Sequence, residues 1–189
     1  MTIAFAILAL IAAAIIGILI YASTRSDTFH VERSASINAP ASTLYSILTD
    51  LRRGNEWSPF EKGLKMDKSY SGPATGAGSA MEWRNSKEVG AGRFSILDAT
   101  PSKITCNLVM LKPMKANNTV EYSLSSQGNA TVMTWSMYGP TTIVTKVMSL
   151  FMSMDKMCGD QFEKGLRDLK VLAEGEAQRL PGGGRIAAA

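Results

Sequence analysis

Twenty consecutive residues from Ile3 to Ala22, all apolar or aromatic except Gly17 and none of them charged, constrain this chain more than anything that follows. A bilayer hydrocarbon core of ~30 Å takes about 20 apolar residues at helical rise. A run apolar on every face also does not suit a globular helix, which buries one stripe and wets the other. A cleaved signal peptide is the rival. It needs a basic leader, an apolar core of ~7–15 residues and a small-x-small cleavage site. Only Met1 and Thr2 precede this run, the run is too long, and Ile20-Tyr21-Ala22 offers a large residue where a small one is required. The expectation is an uncleaved single-pass transmembrane helix, with residues 1–27 as anchor and linker. Arg25 and Arg33 follow the span and no basic side chain precedes it, which places the remainder on the cytoplasmic side rather than the periplasmic or extracellular one.

With that run set aside, the rest has the composition of one soluble domain. All 16 acidic residues lie between Asp27 and Glu176, together with 17 of the 20 basic ones, so the domain is nearly neutral despite the chain's net charge of +4. A nucleic-acid binder would carry a basic stripe on the domain itself, and none is expected here. Arg52-Arg53 is the one adjacent basic pair and reads as a solvated surface feature. Cys106 and Cys158 read as small buried hydrophobes with free thiols, although an oxidising compartment would allow them to pair.

Periodicity orders the domain. Phe29 to Ile37 alternates as a strand, and Pro40 introduces a helix over Ala41–Leu51 with Leu44, Tyr45, Leu48 and Leu51 on one face. Trp57-Ser58-Pro59-Phe60 breaks it. Strands follow over Leu64–Tyr70, Ser79–Arg84, Gly92–Ala99, Ile104–Met110, Val120–Leu124 and Thr131–Tyr138, separated by glycine- and proline-bearing turns. From Thr145 to Glu174 the period becomes helical, with a break expected near Ser153 or Gly159. Residues 28–175 form the domain, and residues 176–189, with Pro181-Gly182-Gly183-Gly184, read as a disordered tail. One long amphipathic helix laid over a curved antiparallel sheet covers its apolar face and tends to leave a cavity.

Catalytic and metal signatures are missing. His30, the single histidine, starts the first strand. No Cys/His spacing suits zinc, no acidic loop suits calcium, and no cofactor is expected. By strand parity Glu82 opposes Met81 and Trp83, and Arg93 opposes Phe94, so both polar groups point to solvent and no acid/base pair emerges. What remains is apolar: Trp57, Trp83, Met110, Met133, Trp135, Met137, Tyr138, Met154, Met157 and Phe162 are the candidate ligand-lining residues. Such stripes also serve as plain core. Gly159 and Gly165, each costing about 1 kcal/mol against alanine in a helix, mean either close packing or room for a ligand.

Several stretches together resemble the START-like, helix-grip superfamily, in its polyketide cyclase/dehydrase and lipid-transport (SRPBCC) branch. They are Val31-Glu32-Arg33-Ser34 through Ile37-Asn38-Ala39-Pro40, the Trp57-Ser58-Pro59-Phe60 break, Ser71-Gly72-Pro73 with Gly76 and Gly78, Met81-Glu82-Trp83, Thr131-Val132-Met133-Thr134-Trp135, and Met154-Asp155-Lys156-Met157 leading to Phe162-Glu163-Lys164-Gly165-Leu166. The resemblance spans about Phe29 to Ala173. It implies an α+β fold with a curved antiparallel sheet of about seven strands gripped by the C-terminal helix. Family members include lipid carriers, hormone-binding proteins and aromatic cyclases, with no universal catalytic residue. The expected function is a membrane-anchored domain holding a hydrophobic small molecule or lipid between sheet and helix. The alternatives are a cyclase or dehydratase on an apolar substrate, and a scaffold with a filled core.

Overall fold

The alternating segments pair into one seven-stranded antiparallel sheet in the computed structural model, which describes residues 2–150 and 153–179. The strands are β1 (Thr28–Ile37), β2 (Asp67–Ser71), β3 (Ala80–Ser86), β4 (Gly90–Thr100), β5 (Lys103–Lys112), β6 (Ala116–Gln127) and β7 (Ala130–Pro140). Their order is β1-β7-β6-β5-β4-β3-β2: a meander from β2 to β7, with β1 returning beside β7. Register shifts between Trp83 and Ser86, Ala91 and Gly92, and Ile96 and Asp98 bend β3 and β4. Such bulges add twist and let the sheet curl.

Six of these seven strands run longer than their alternating cores in sequence, and the connection between β1 and β2 holds two short helices. α2 (Ala41–Thr49) buries Leu44, Ile47 and Leu48. It stops before Leu51, because Asp50 accepts the Arg52 N–H and opens a 3-10 turn over Leu51–Arg53. α3 (Gly54–Trp57) follows, and the chain breaks after Trp57 where the proline requires it.

The C-terminal helical region is two helices, α4 (Ile143–Met148) and α5 (Met154–Arg179). The break falls beside Ser153, and Gly159 sits inside continuous helix. Thr142 and Thr145 form a reciprocal cap at the start of α4, so α4 begins as a unit of its own. α5 runs past Glu174 and Ala173 to Arg179, which moves Glu176–Arg179 out of the expected disordered tail. Glu176 is held by Arg53, and Ala177 packs against the core. Residues 180–189 of that tail lie outside the described residues.

α5 crosses the concave face. Phe162, Leu166, Leu169 and Ala173 are buried at three- and four-residue steps against Ile37, Leu44, Ile47, Ile104 and Met133. Its two internal glycines are both close contacts. A Cβ at Gly165 would stand 2.7 Å from Trp135 and 2.9 Å from Pro59, and one at Gly159 would collide with the Arg33 guanidinium. Arg33 lies over Gly159 and forms a bidentate pair with Asp155 (2.9 Å for each nitrogen) and a bond to Glu163 (3.0 Å). Arg53 is not a solvated residue either. It bridges Glu56 at 2.9 Å and Glu176, tying α3 to α5, while Arg52 lies over the Tyr70 ring.

α1 (Thr2–Ser23) stands apart from this core. Residues 3–23 are long and apolar enough to cross a membrane, and the helix touches the domain at its C-terminal end, where Ala22 is buried and α4 is its neighbour.

Candidate functional site: an apolar cavity under the last helix

The first turns of α5, before Phe162, do not close onto the sheet. Between them lies an apolar cavity of about 770 Å³, within the ~300–1,000 Å³ usual for small-molecule sites. Strand parity builds its floor. The inward residues Phe94 on β4, Leu108 and Met110 on β5, Val120 and Tyr122 on β6, and Trp135 and Met137 on β7 all face it. Ile47, Leu48, Trp57 and Phe60 close one side, and Met157, Cys158 and Phe162 of α5 form the roof.

Seven of the ten residues expected from sequence line this space: Trp57, Trp83, Met110, Trp135, Met137, Met157 and Phe162. Met133 and Tyr138 do not come together with them. Met133 is fully buried on the same face of β7 but belongs to the packed core. Tyr138 is a correction: it follows inward-facing Met137, so alternation turns it outward, where it is exposed with its ring against His30. Met154 opens α5, and its side chain lies outside the described residues.

An aromatic cluster forms the inner wall. Trp135 stacks on Phe162 at 4.3 Å and 8°, while Trp57 and Tyr122 meet it edge-on at 5.4 and 5.5 Å. Arrangements of this kind add about 0.5–1.5 kcal/mol per pair beyond burial. The indole N–H groups of Trp57 and Trp135 are buried without a hydrogen-bond partner among the described residues, at a cost of about 1–3 kcal/mol each. Gly92 keeps the wall in shape, because a Cβ there would press on the Trp83 ring.

Periodicity does not disclose one largely buried carboxyl in this wall, Glu61. It lies in the irregular segment after α3, with its carboxylate against Gly54, where any Cβ would displace it. Lys68 reaches it at 2.7 Å, and both side chains are largely buried. Burial pushes the Glu61 carboxyl up from its ordinary value, and the lysine offsets that only in part. Tyr122, fully enclosed, has its phenol pushed well up by burial, with Cys106 and Glu61 adding to the effect. A carboxyl that holds its proton more readily, beside apolar walls, can donate to or accept from one polar group on an otherwise apolar molecule.

Of the titratable groups His30, Glu82, Arg93, Cys106 and Cys158, only Cys158 lines the cavity. Glu82 and Arg93 point outward and pair at 2.7 Å on the convex face. His30 is exposed on β1, beside Glu32. Cys106 is buried and Cys158 half-buried, both as free thiols, and burial raises the thiol of each. Among the described residues no group of three His, Cys, Asp or Glu side chains could hold a metal ion.

Comparison with known proteins agrees with this architecture. A family model described as polyketide cyclase / dehydrase and lipid transport matches residues 28–174. Similar solved structures include protein CV1439 from Chromobacterium violaceum, at 16% identity and TM-score 0.57, covering 78% of this chain and 97% of that one. The ginseng major latex-like protein 151 from Panax ginseng is 12% identical with TM-score 0.55, covering 78% and 99%. The di-domain ARO/CYC StfQ from the steffimycin biosynthetic pathway is 14% identical with TM-score 0.58, and this chain covers 52% of it. At these identities the structures attest the fold alone. No curated protein matches the chain.

Proposed function

The chain belongs to the polyketide cyclase/dehydrase and lipid transport family, and from that premise we propose that it is a membrane-anchored binding domain for a hydrophobic small molecule or lipid. Proteins of this helix-grip family can bind hydrophobic ligands. The observation that carries the reading for this chain is the apolar cavity of about 770 Å³. A scaffold domain would have filled that space, since native cores pack at crystal-like density with few voids larger than a water. Trp57, Trp83, Met110, Trp135, Met137, Met157 and Phe162 are the proposed contacts, with Glu61 as the polar handle. α1 supports the anchor by length and composition, and the domain is proposed to sit on the cytoplasmic side.

Native mass spectrometry of the full chain released from lipid nanodiscs tests this. The expected result is a retained apolar molecule, or uptake of one from a lipid mixture. Chain that is repeatedly empty and takes up nothing overturns the reading.

A second reading, proton transfer to or from an apolar substrate, rests on Glu61 alone: a largely buried carboxyl with a raised value at the cavity wall. Under it, Glu61→Gln keeps uptake and loses turnover by at least about a hundredfold. Under the binding reading, uptake shifts in affinity and no turnover is found in either form.

A further inference from the structure

α4 is inverted for a helix in water. Its charged side chain, Lys146, is buried, while Ile143, Val144 and Met148 are 48%, 53% and 43% exposed. The tip of the β5–β6 hairpin also exposes apolar side chains, Leu111 and Met114, with Lys112 and Lys115 beside them. Single exposed aliphatics such as Leu97 and Val171 need no explanation. Five at one end of a domain do.

Topology brings them to that end. Thr28 pairs with Pro140 and Thr119 with Tyr138, so the start of β1, the β5–β6 tip and the entry to α4 share one edge of the sheet. The cavity has its mouth here. Arg25, Ser26, Met114, Lys115, Met148 and Ser149 line it and are exposed, whereas Leu48, Trp57 and Trp135 at the inner wall are buried. The apolar helix α1 leaves from the same place, and the linker is clamped rather than loose. Thr141 donates its N–H to the Asp27 carbonyl at 2.8 Å and its hydroxyl to the Ser26 carbonyl at 2.7 Å. Lys146 Nζ reaches the Asp27 carboxylate at 2.5 Å. At the end of α1, Tyr21 and Arg25 are joined through the phenol oxygen and ring face, the residue types enriched where a span meets headgroups.

Charge at this end is mostly of one sign. From Ala99 to Ser153 the only acid is Glu121, and it is taken by Lys103 as Asp27 is taken by Lys146. Lys112, Lys115 and Arg25 therefore stand on the rim without a carboxylate partner among the described residues. The β3–β4 turn adds one of each sign, Lys87 and Glu88.

We infer that this end of the domain is a bilayer-docking surface. The outer face of α4 and the Leu111–Lys115 tip lie in the interfacial layer of an anionic membrane, and the cavity mouth opens onto lipid instead of water. The inference rests on α1 being a membrane anchor. Apolar side chains flanked by lysines suit that layer: the aliphatics enter the acyl boundary and the ammonium groups meet phosphates. A ligand would then pass between bilayer and cavity without crossing water.

The test uses the full chain in vesicles of phosphatidylcholine with phosphatidylglycerol, and of phosphatidylcholine alone. In a Cys158→Ser background, single variants Met114→Cys, Val144→Cys, Val171→Cys and Leu10→Cys carry a fluorophore, and a nitroxide-bearing lipid quenches it. Leu111→Cys and Ile143→Cys stand in for either rim variant that fails to fold. Quenching at 114 and 144 should exceed that at 171 by at least about threefold. Lys112→Glu with Lys115→Glu should lower it by at least about twofold in the anionic vesicles. If position 10 is quenched while 114 and 144 behave like 171, the docking surface is refuted and the anchor stands. If position 10 is not quenched, the anchor reading falls and this inference with it. Equal quenching in both vesicle types, unaltered by the lysine changes, overturns the anionic preference.

Discussion

The two halves of α5 face the same sheet and do opposite things. The C-terminal half is fastened. Leu166, Leu169 and Ala173 are buried, Lys62 pairs with Asp168 at 2.9 Å, Asn38 donates to Glu174 at 2.8 Å, and Lys170 reaches the Ser36 carbonyl at 2.9 Å. The N-terminal half is held by Arg33, which binds Asp155 and Glu163 across Gly159, and by Phe162 stacked on Trp135, and otherwise roofs open space with Met157 and Cys158. One amphipathic helix thus gives a stable core at one end and a cavity at the other. The difference shows in what lies beneath: fully buried Ile37, Ile104 and Met133 at the closed end, and half-buried Leu108, Met110 and Phe94 beneath the open one.

The strongest way to break this contrast is at its boundary. Trp135→Ala removes the ring that stacks on Phe162 and should cost about 4 kcal/mol of unfolding free energy in urea titration. Met110→Ala, on the open floor, should cost about 1–2 kcal/mol because part of its surface already faces the cavity. A loss at Met110 equal to that at Trp135 would show that the floor is packed core.

Next come the two glycines. Gly165→Val drives its side chain into Trp135 and Pro59 and should destabilise by about 3 kcal/mol. Gly159→Ala meets only the end of a flexible arginine, and about 1 kcal/mol of helix propensity offsets the displaced contact. Thermal denaturation of both variants compares a rigid close approach with a yielding one.

Filling the open end separates binding from stability. Leu108→Trp should change stability by less than about 1.5 kcal/mol and weaken uptake of an apolar fluorescent probe at least about tenfold. Probe uptake unchanged by the added ring would place the binding site outside this cavity.

The smallest effects are in pH dependence, and the two ends differ in sign. Asp155 is held below its ordinary value of 3.8 by the Arg33 guanidinium. Its contribution is therefore full above that value and is lost as pH falls through the lowered one. Asp155→Asn should flatten stability on the acid side, read from melting curves between about pH 2 and 5. Glu61, raised above 4.5 by burial, contributes stability that is full below that value and lost as pH rises through the raised one. Glu61→Gln should abolish that loss, and a melting profile indifferent to the change would refute the burial of a charged Glu61.

Much of the fold is legible from pattern because strand and helix each impose their own period on buried residues. Met133, Trp135 and Met137 announce the inner face of β7, and Leu166, Leu169 and Ala173 the buried stripe of α5. The same rule exposes the candidate that faces the wrong way: Tyr138 follows Met137, so it had to point away. Phe94, Leu108 and Tyr122 were recoverable by the same parity. Glu61 was not. It lies in a stretch with no period, and its chemistry depends on Gly54, Lys68 and Tyr122, residues that sequence separation does not connect.

Arg33 and Arg53 show the same limit for charge. Arg53 reads locally as a solvated cation and Arg33 as a charge that follows the apolar span, and each closes on a carboxylate more than a hundred residues away, Glu176 and Glu163 respectively. Local order decides which face of an element is apolar, because that depends on a repeat of two or 3.6 residues. An apolar span, a nearly neutral domain and an inward apolar face for each strand are all readable from residue order. Where α5 seats and where it stands off is set by the folded packing. That depends on which bulky side chains meet across the sheet and on where a glycine lets them approach, and neither is written in any one segment.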